Sequence, residues 1–251
     1  MILKEQDIQF MREGGKILAT ILRELAASVK PGMPTQALED IARERIAAHG
    51  VTSSFLGYNG YPATLCVSVN EEAVHAVPGG YIIQEGDLVK LDFGVVHHGL
   101  HTDSAVTVIA GLTDARKKEW QDRITLSRVT REALYAGIAQ ARAGNTVGHI
   151  GAAIQAHAEK NGFTVLKDLG GHGIGMRLHE DPFVPNHGSA GEGDTLVAGM
   201  ALAIEPILTT GTHKTKDGTD GFAYVTKNGA LSAHFEHTII VTEGAPIIVT
   251  E

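Results

Sequence analysis

The run Leu91-Asp92-Phe93-Gly94-Val95-Val96-His97-His98-Gly99-Leu100-His101-Thr102-Asp103 decides how this chain is read. Residues 88–96 and 100–109 are rich in β-branched side chains, and His97-His98-Gly99 supplies a turn between them, so the segment predicts a β-hairpin. Each arm carries a carboxylate, Asp92 in the first and Asp103 eleven residues on. A hairpin of this kind belongs to an antiparallel sheet.

Helical periods flank the hairpin. Upstream, Ile8, Met11, Ile17, Leu18, Ile21, Leu22 and Leu25 recur at helical spacing and stop at Lys30-Pro31-Gly32. Thr35 is placed to cap a second helix that turns Leu38, Ile41 and Ile46 inward and ends at His49-Gly50. Downstream the same grammar returns. Ile124, Val129, Leu134 and Ile138 form a helix ending near Ala143-Gly144, followed by Thr146, Ile150, Ile154 and a stop at Asn161-Gly162. A shift of 112 residues superimposes Gly32 on Gly144, Leu38 on Ile150, Gly50 on Gly162, Leu22 on Leu134 and Ile17 on Val129. We read this as a duplicated helix-helix-sheet unit, with halves at about 1–113 and 114–251 fused into one domain over 1–251. Further strands are expected at 64–69, 164–166, 200–208, 221–226 and 237–241. The class is α+β, an antiparallel sheet with helices on one face.

Composition narrows the function. The chain has 251 residues, 43% of them hydrophobic, which is enough to bury a large core without staples. Cys66 is the single cysteine, which excludes a disulfide scaffold and an all-cysteine zinc site. A net charge of −8 argues against a nucleic-acid partner held by phosphate contacts. Met1-Ile2-Leu3-Lys4-Glu5-Gln6-Asp7 has acids where a signal peptide has cations and an apolar run, and no apolar stretch reaches membrane-spanning length. The expectation is a cytoplasmic globular protein with no membrane contact.

Two further acids resemble those of the hairpin. Glu205 stands in Ala201-Leu202-Ala203-Ile204-Glu205-Pro206-Ile207-Leu208, and Glu236 precedes His237-Thr238-Ile239-Ile240-Val241. For any one acid, a solvent-facing strand end is the ordinary explanation. Four acids interrupting four of the most apolar strands need another, because burying an unpaired carboxylate costs several kcal/mol. Lys90 alternates with Asp92, but one lysine cannot neutralise four acids. Two divalent metals can, and hard oxygen ligands with one imidazole suit Mn2+, Fe2+, Co2+ or Zn2+. The imidazole candidate is His172, in Leu169-Gly170-Gly171-His172-Gly173-Ile174-Gly175.

Competing motifs fail. The glycines around His172 have the wrong spacing for a dinucleotide loop, His179-Glu180 lacks the second zincin histidine because Phe183 stands there, and no Gly-x-Ser-x-Gly elbow or Walker loop occurs. Cys66 as a nucleophile is weighed against inert strand packing, the commoner role of a buried cysteine.

These residues, in this order, resemble the type I methionine aminopeptidases among the pita-bread metallopeptidases. The resemblance covers essentially the whole chain. It is carried by Leu56-Gly57-Tyr58-Asn59-Gly60-Tyr61-Pro62, Ser68-Val69-Asn70-Glu71-Glu72-Ala73-Val74-His75, Asp92-Phe93-Gly94, His101-Thr102-Asp103, Gly171-His172-Gly173-Ile174-Gly175, His179-Glu180-Asp181-Pro182, Ile204-Glu205-Pro206 and Phe235-Glu236-His237-Thr238. It implies a pseudo-twofold α+β fold and an enzyme that removes N-terminal methionine ahead of a small second residue. It also implies a nucleophilic hydroxide bridging two divalent ions (Co, Mn, Fe or Zn).

By position, Asp92, Asp103, His172, Glu205 and Glu236 resemble the metal ligands, with Asp103 and Glu236 bridging. His75 and His179 resemble the non-ligand histidines that contact the scissile peptide, and Glu205 resembles the carboxylate that shuttles the proton. The implied walls of the methionine slot are Tyr58, Tyr61, Cys66, Leu178 and Phe222. Leu178 and Phe222 stand where relatives often carry larger aromatics, and Ala73-Val74-His75-Ala76-Val77-Pro78 lacks the Cys and Gly that often flank this histidine. His97, His98, His101, His213, His234 and His237 are assigned to turns, surface or support. The implied partner is a peptide or nascent-chain N-terminus, any ribosome contact would use the domain surface, and a monomer is expected.

Two rivals stay open. Xaa-Pro aminopeptidases share the ligand set but usually carry a further N-terminal domain, and non-catalytic pita-bread binding proteins typically lose ligands. The type II class is disfavoured, since no long insert lies between His179 and Glu205.

Overall fold

In the computed structural model, which describes residues 2–251, the two helix pairs form where the apolar periods put them. They are α1 (Glu5–Ser28) with α2 (Gln36–His49), and α3 (Gln121–Ile138) with α4 (Val147–Lys160). Gly50 ends α2 in the left-handed region at φ 65°, and its N–H donates to the Ala47 and Ile46 carbonyls. Thr146 stands at the N-cap of α4, in a box with His149. Thr35 does not cap α2 with its side chain. Its hydroxyl instead donates to the Gly79 carbonyl at 3.1 Å and accepts from the Gly79 N–H at 2.9 Å, which ties the helix start to a loop.

The strands of the first half are β1 (Thr52–Ser53), β2 (Leu65–Val69), β3 (Glu72–Val74), β4 (Leu88–His97) and β5 (Leu100–Ile109). In the second half they are β6 (Thr164–Val165), β7 (Gly170–Gly173), β8 (Glu180–Pro185), β9 (Ala201–Ile204), β10 (Ile207–Thr209), β11 (Thr215–Asp217), β12 (Tyr224–Thr226), β13 (Ser232–His234), β14 (Glu236–Ile240) and β15 (Ile247–Ile248). The main antiparallel sheet runs β1-β4-β5-β14-β9-β7-β8, with β2 also on β4 and β15 on β14. Two smaller sheets, β13-β10-β6 and β11-β12-β3, complete the fold. The β4–β5 turn is made by His98 at φ 51° and Gly99 at φ 77°. Two consecutive left-handed residues match the twist of a tight hairpin.

The expected single strand over 200–208 is in fact two. It breaks after Ile204, and β10 leaves the main sheet to pair with β13 and β6. Pro206 has no N–H to continue the ladder. Strand 221–226 shortens to β12, while β3, β7 and β8, rich in Gly and acidic residues, give no apolar signal.

Period-2 alternation sorts the main sheet into two faces. Leu91, Phe93 and Val95 pack against Leu18, Ile21, Leu25 and Leu38 of α1 and α2. Leu202, Ile204, Ile239 and Val241 pack against Val129, Leu134, Ile150 and Ile154 of α3 and α4. Helix α1 approaches closely at Gly15, where a Cβ would sit 2.1 Å from the Val249 carbonyl oxygen. The helices thus cover one face, and the intervening residues, among them the acids, point to the other.

Candidate metal centre and substrate cavity

Register alone brings the acids together. Ala105 on β5 is the cross-strand partner of Asp92 on β4 and of Glu236 on β14, so the two carboxylates flank a single methyl group in one row. Asp103 lies two residues from Ala105 and projects from the same face. His237 pairs with Ile204, which sets Glu205 just past the end of β9 beside Glu236. His172 on β7 pairs with Ala203, two residues from Glu205. The five residues thus come from the consecutive strands β4, β5, β14, β9 and β7, with two acids on either side of the β5–β14 junction.

Ligand atoms of Asp103, His172 and Glu236 lie within 4.8 Å of one another. His172 Nε2 is 3.8 Å from Glu205 Oε1. The other nitrogen, Nδ1, faces the Gly173 carbonyl at 2.9 Å. A proton on Nδ1 leaves the Nε2 lone pair free to bind a cation.

Burial makes this arrangement costly without a cation. Asp92, Asp103 and Glu236 are buried, and burial raises the pKa of all four acids. Beyond burial, Asp103 and then Glu205 push Asp92 up, Asp103 pushes Glu205 up, and Asp103 followed by Glu205 and Asp92 pushes Glu236 up. Asp103 itself rises to about 7, again through burial. Lys90 does not relieve them. Its Nζ donates to the Asn70 carbonyl at 2.7 Å and the Ser232 carbonyl at 3.3 Å, and burial lowers its pKa to about 7. Among the described residues, Asp92 Oδ1 and Glu236 Oε1 find no hydrogen-bond partner. Orphaned carboxylate oxygens beside an imidazole nitrogen fit divalent metal ions.

The residues open onto a cavity of about 310 Å³. Its lining includes every site residue read from the sequence: Tyr58, Tyr61, Cys66, His75, Asp92, Asp103, His172, Leu178, His179, Glu205, Phe222 and Glu236. It also includes Phe55, Asn59, Gly221 and Tyr224, which sequence reading did not single out. Asn59 belongs to the Leu56–Pro62 motif, whereas Tyr224 carries no sequence signal, since it arrives through the pairing of β12 with β3 opposite Val74. His234, grouped only among supporting histidines, is buried with Nε2 3.6 Å from Glu205 Oε2.

The cavity wall is aromatic and apolar. Tyr61 and Phe222 meet edge to face at 5.4 Å, and the Tyr61 hydroxyl donates to the Ala76 carbonyl at 2.9 Å. Leu178 and Cys66 are buried beside them. Burial first, then Asp92, pushes the Cys66 thiol up, so it stays protonated and is unsuited to nucleophilic attack.

His75 sits at φ 63°, a left-handed conformation that a non-glycine residue holds only when its surroundings enforce it. Burial lowers its pKa to about 4 and that of His172 to about 3. Burial lowers that of His179 as well. His179 packs against His172 at 4.2 Å, and its Nδ1 is 2.9 Å from the Tyr58 hydroxyl. Neutral imidazoles therefore line the cavity together with the acids.

The profile of metallopeptidase family M24 matches residues 9–243. A methionine aminopeptidase of Clostridium perfringens is 43% identical over 252 residues, covering 100% of this chain and 98% of the relative. The crystal structure of a Thermotoga maritima methionine aminopeptidase superimposes with a TM-score of 0.93 at 42% identity, covering 100% of this chain and 99% of that one. A prolidase from Pyrococcus horikoshii, 18% identical, shares the fold with a TM-score of 0.74, and this chain covers 63% of its length. The architecture is the pita-bread fold, and the chain belongs to metallopeptidase family M24.

Proposed function

We propose that this chain is a type I methionine aminopeptidase, removing the N-terminal methionine from peptides and nascent proteins whose second residue is small. The observation that carries this reading is the convergence of Asp92, Asp103, His172, Glu205 and Glu236 on a cavity that Tyr58, Tyr61, Cys66, Leu178 and Phe222 also line. In this reading residues 1–251 act as one catalytic unit. The five polar residues would hold two divalent ions of the Co2+, Mn2+, Fe2+ or Zn2+ class. When bound, such ions supply a Lewis acid and lower the pKa of water toward neutrality.

The remaining work falls to the chain. The apolar wall takes the unbranched thioether side chain and excludes water from it. His75 and His179, neutral at pH 7, donate hydrogen bonds where charge develops on the scissile peptide, and the Tyr58 hydroxyl fixes the His179 ring. Glu205 takes a proton from the attacking water and passes it to the leaving amine. The substrate is a free peptide N-terminus, met in the cytoplasm by a monomer, and any ribosome contact uses the outer surface of the domain. Among the described residues no helix is long and apolar enough to cross a membrane.

The deciding experiment is kcat/KM on a panel of Met-Ala-Ser-type and Xaa-Pro peptides, using chelated protein resupplied with each divalent metal in turn. Methionine peptides with a small second residue are expected to lead. Faster cleavage of Xaa-Pro peptides would assign the chain to the Xaa-Pro class, and no cleavage with bound metal would favour a binding protein.

A further inference from the structure

At the tip of the β4–β5 hairpin, on the opposite side of the sheet from the cavity, Glu13 of α1 meets His97 and His98. One ligand atom from each of the three side chains lies within 4.8 Å of the others. We propose that Glu13, His97 and His98 form a separate surface site for a transition-metal dication of the Zn2+ class.

Local geometry preorganises it. Neighbouring residues of a strand point to opposite faces, but the left-handed turn at His98 (φ 51°) brings the two rings to the same side, 4.4 Å apart. Phe10 stacks on His98 at 4.2 Å and fixes that ring. Gly14 lets the hairpin dock, since a Cβ there would sit 3.0 Å from His97 Cβ. His97 Nε2 is 3.4 Å from Glu13 Oε2, while Gln9 donates to Glu13 Oε1 at 3.0 Å. The outer contact holds the carboxylate in place and leaves Oε2 for an ion.

Two imidazoles and one carboxylate are the donor set that borderline dications prefer, whereas Ca2+ or Mg2+ would require more oxygen ligands. Glu13 is 45% exposed and His97 21%, so water can complete the coordination. His97 lies five residues along β4 from Asp92, roughly 17 Å at the strand rise, so the two sites share no ligand. An ion here would clamp α1 to the hairpin that carries Asp92 and Asp103, and so stabilise the fold without entering the reaction.

The test is equilibrium dialysis of the enzyme against micromolar Zn2+, followed by metal analysis, on wild type, His98→Asn and Glu13→Gln. Asn suits the first left-handed position of this turn, so His98→Asn keeps the hairpin while removing one ligand. Glu13→Gln keeps the side-chain length and removes the charge. Wild type is expected to hold one more Zn2+ per chain than either variant, and its Tm to rise by a few degrees more with zinc. Activity with a saturated catalytic centre should be the same in all three. Equal zinc content in the three proteins would show only a histidine–carboxylate contact and overturn the proposal. So would an Asp103→Asn protein, with Glu13, His97 and His98 intact, whose zinc content does not fall further when His98→Asn is added.

Discussion

Cys66 stands directly opposite Asp92 in the β2–β4 ladder, so a wall of the apolar cavity and a buried carboxylate share one register. With its pKa pushed up by burial and by Asp92, the thiol acts here as volume. Cys66→Ala is therefore expected to keep full metal content and to lose selectivity for methionine over leucine by about tenfold, the scale of one small apolar contact. Steady-state kcat/KM on Met- and Leu-led peptides checks it. Abolished turnover with metal retained would restore the nucleophile reading.

Raised carboxylates and lowered imidazoles pull the pH dependence of the metal-free protein in opposite directions. Asp103 titrates at about 7 in the fold against an ordinary 3.8, and Asp92, Glu205 and Glu236 are raised as well. A raised pKa contributes stability that is complete below the unfolded value and is lost as pH rises through the folded one. The acids' share of the chelated protein's stability should thus fall between about pH 5 and 8, while His75, His172, His234 and His237, lowered from 6.5, work the other way below that value. Resupplied metal should raise the Tm most at the alkaline end. Asp103→Asn should make the chelated protein more stable at pH 8 by several °C, since it removes one repelling charge. Chelated Asp103→Asn no more stable than chelated wild type at pH 8 would contradict the account.

The same alternation explains what could be read in advance. Asp92, Asp103 and Glu236 interrupt apolar runs because their neighbours Leu91, Phe93, Ile239 and Val241 face the helices while they face the cavity. Strand pattern and unpaired charge were thus visible together, as were both helix pairs, whose apolar periods and glycine stops are local. The turn at His98-Gly99 was equally local. Tyr224 and the break at Pro206 were not, because both depend on which distant strand is paired, and β12 reaches the cavity only by joining β3. Lys90 was legible as a lone cation but not as one turned toward the Asn70 and Ser232 carbonyls.

Ligands and helpers should separate on mutation. His172 offers Nε2 to the acids, so His172→Ala is expected to weaken metal binding itself, by about 10–100-fold or more on the scale seen when ligand support is lost. His75 and His179 line the cavity without belonging to the Asp103–His172–Glu236 cluster. His75→Ala and His179→Ala should retain metal and lose about 10²–10³ in kcat, the magnitude of one transition-state donor. Metal analysis beside kcat for the three variants distinguishes the roles. If His75→Ala loses metal as severely as His172→Ala, the assignment of His75 fails.

The width of the slot is the last question the residues raise. Leu178 is 3% exposed and packs in the cluster that contains Tyr61 and Cys66, with Phe222 against it. Its side chain is smaller than a phenyl ring, and Phe222 is smaller than an indole, so this wall leaves more room than two larger aromatics would. Apolar contacts of one methylene discriminate by only about 1–3 kcal/mol. Methionine should therefore be preferred over norleucine and leucine at the first position by roughly 10–200-fold or less. Leu178→Phe fills the extra space from a position already buried, so it should sharpen the preference for methionine over leucine while leaving metal content unchanged. Overpacking is the competing outcome, at about 1–3 kcal/mol of stability. A thermal melt run beside kcat/KM for Met-, norleucine- and Leu-led peptides separates the two. Unchanged selectivity in a well-folded, metal-replete Leu178→Phe enzyme would show that Leu178 does not bound the slot.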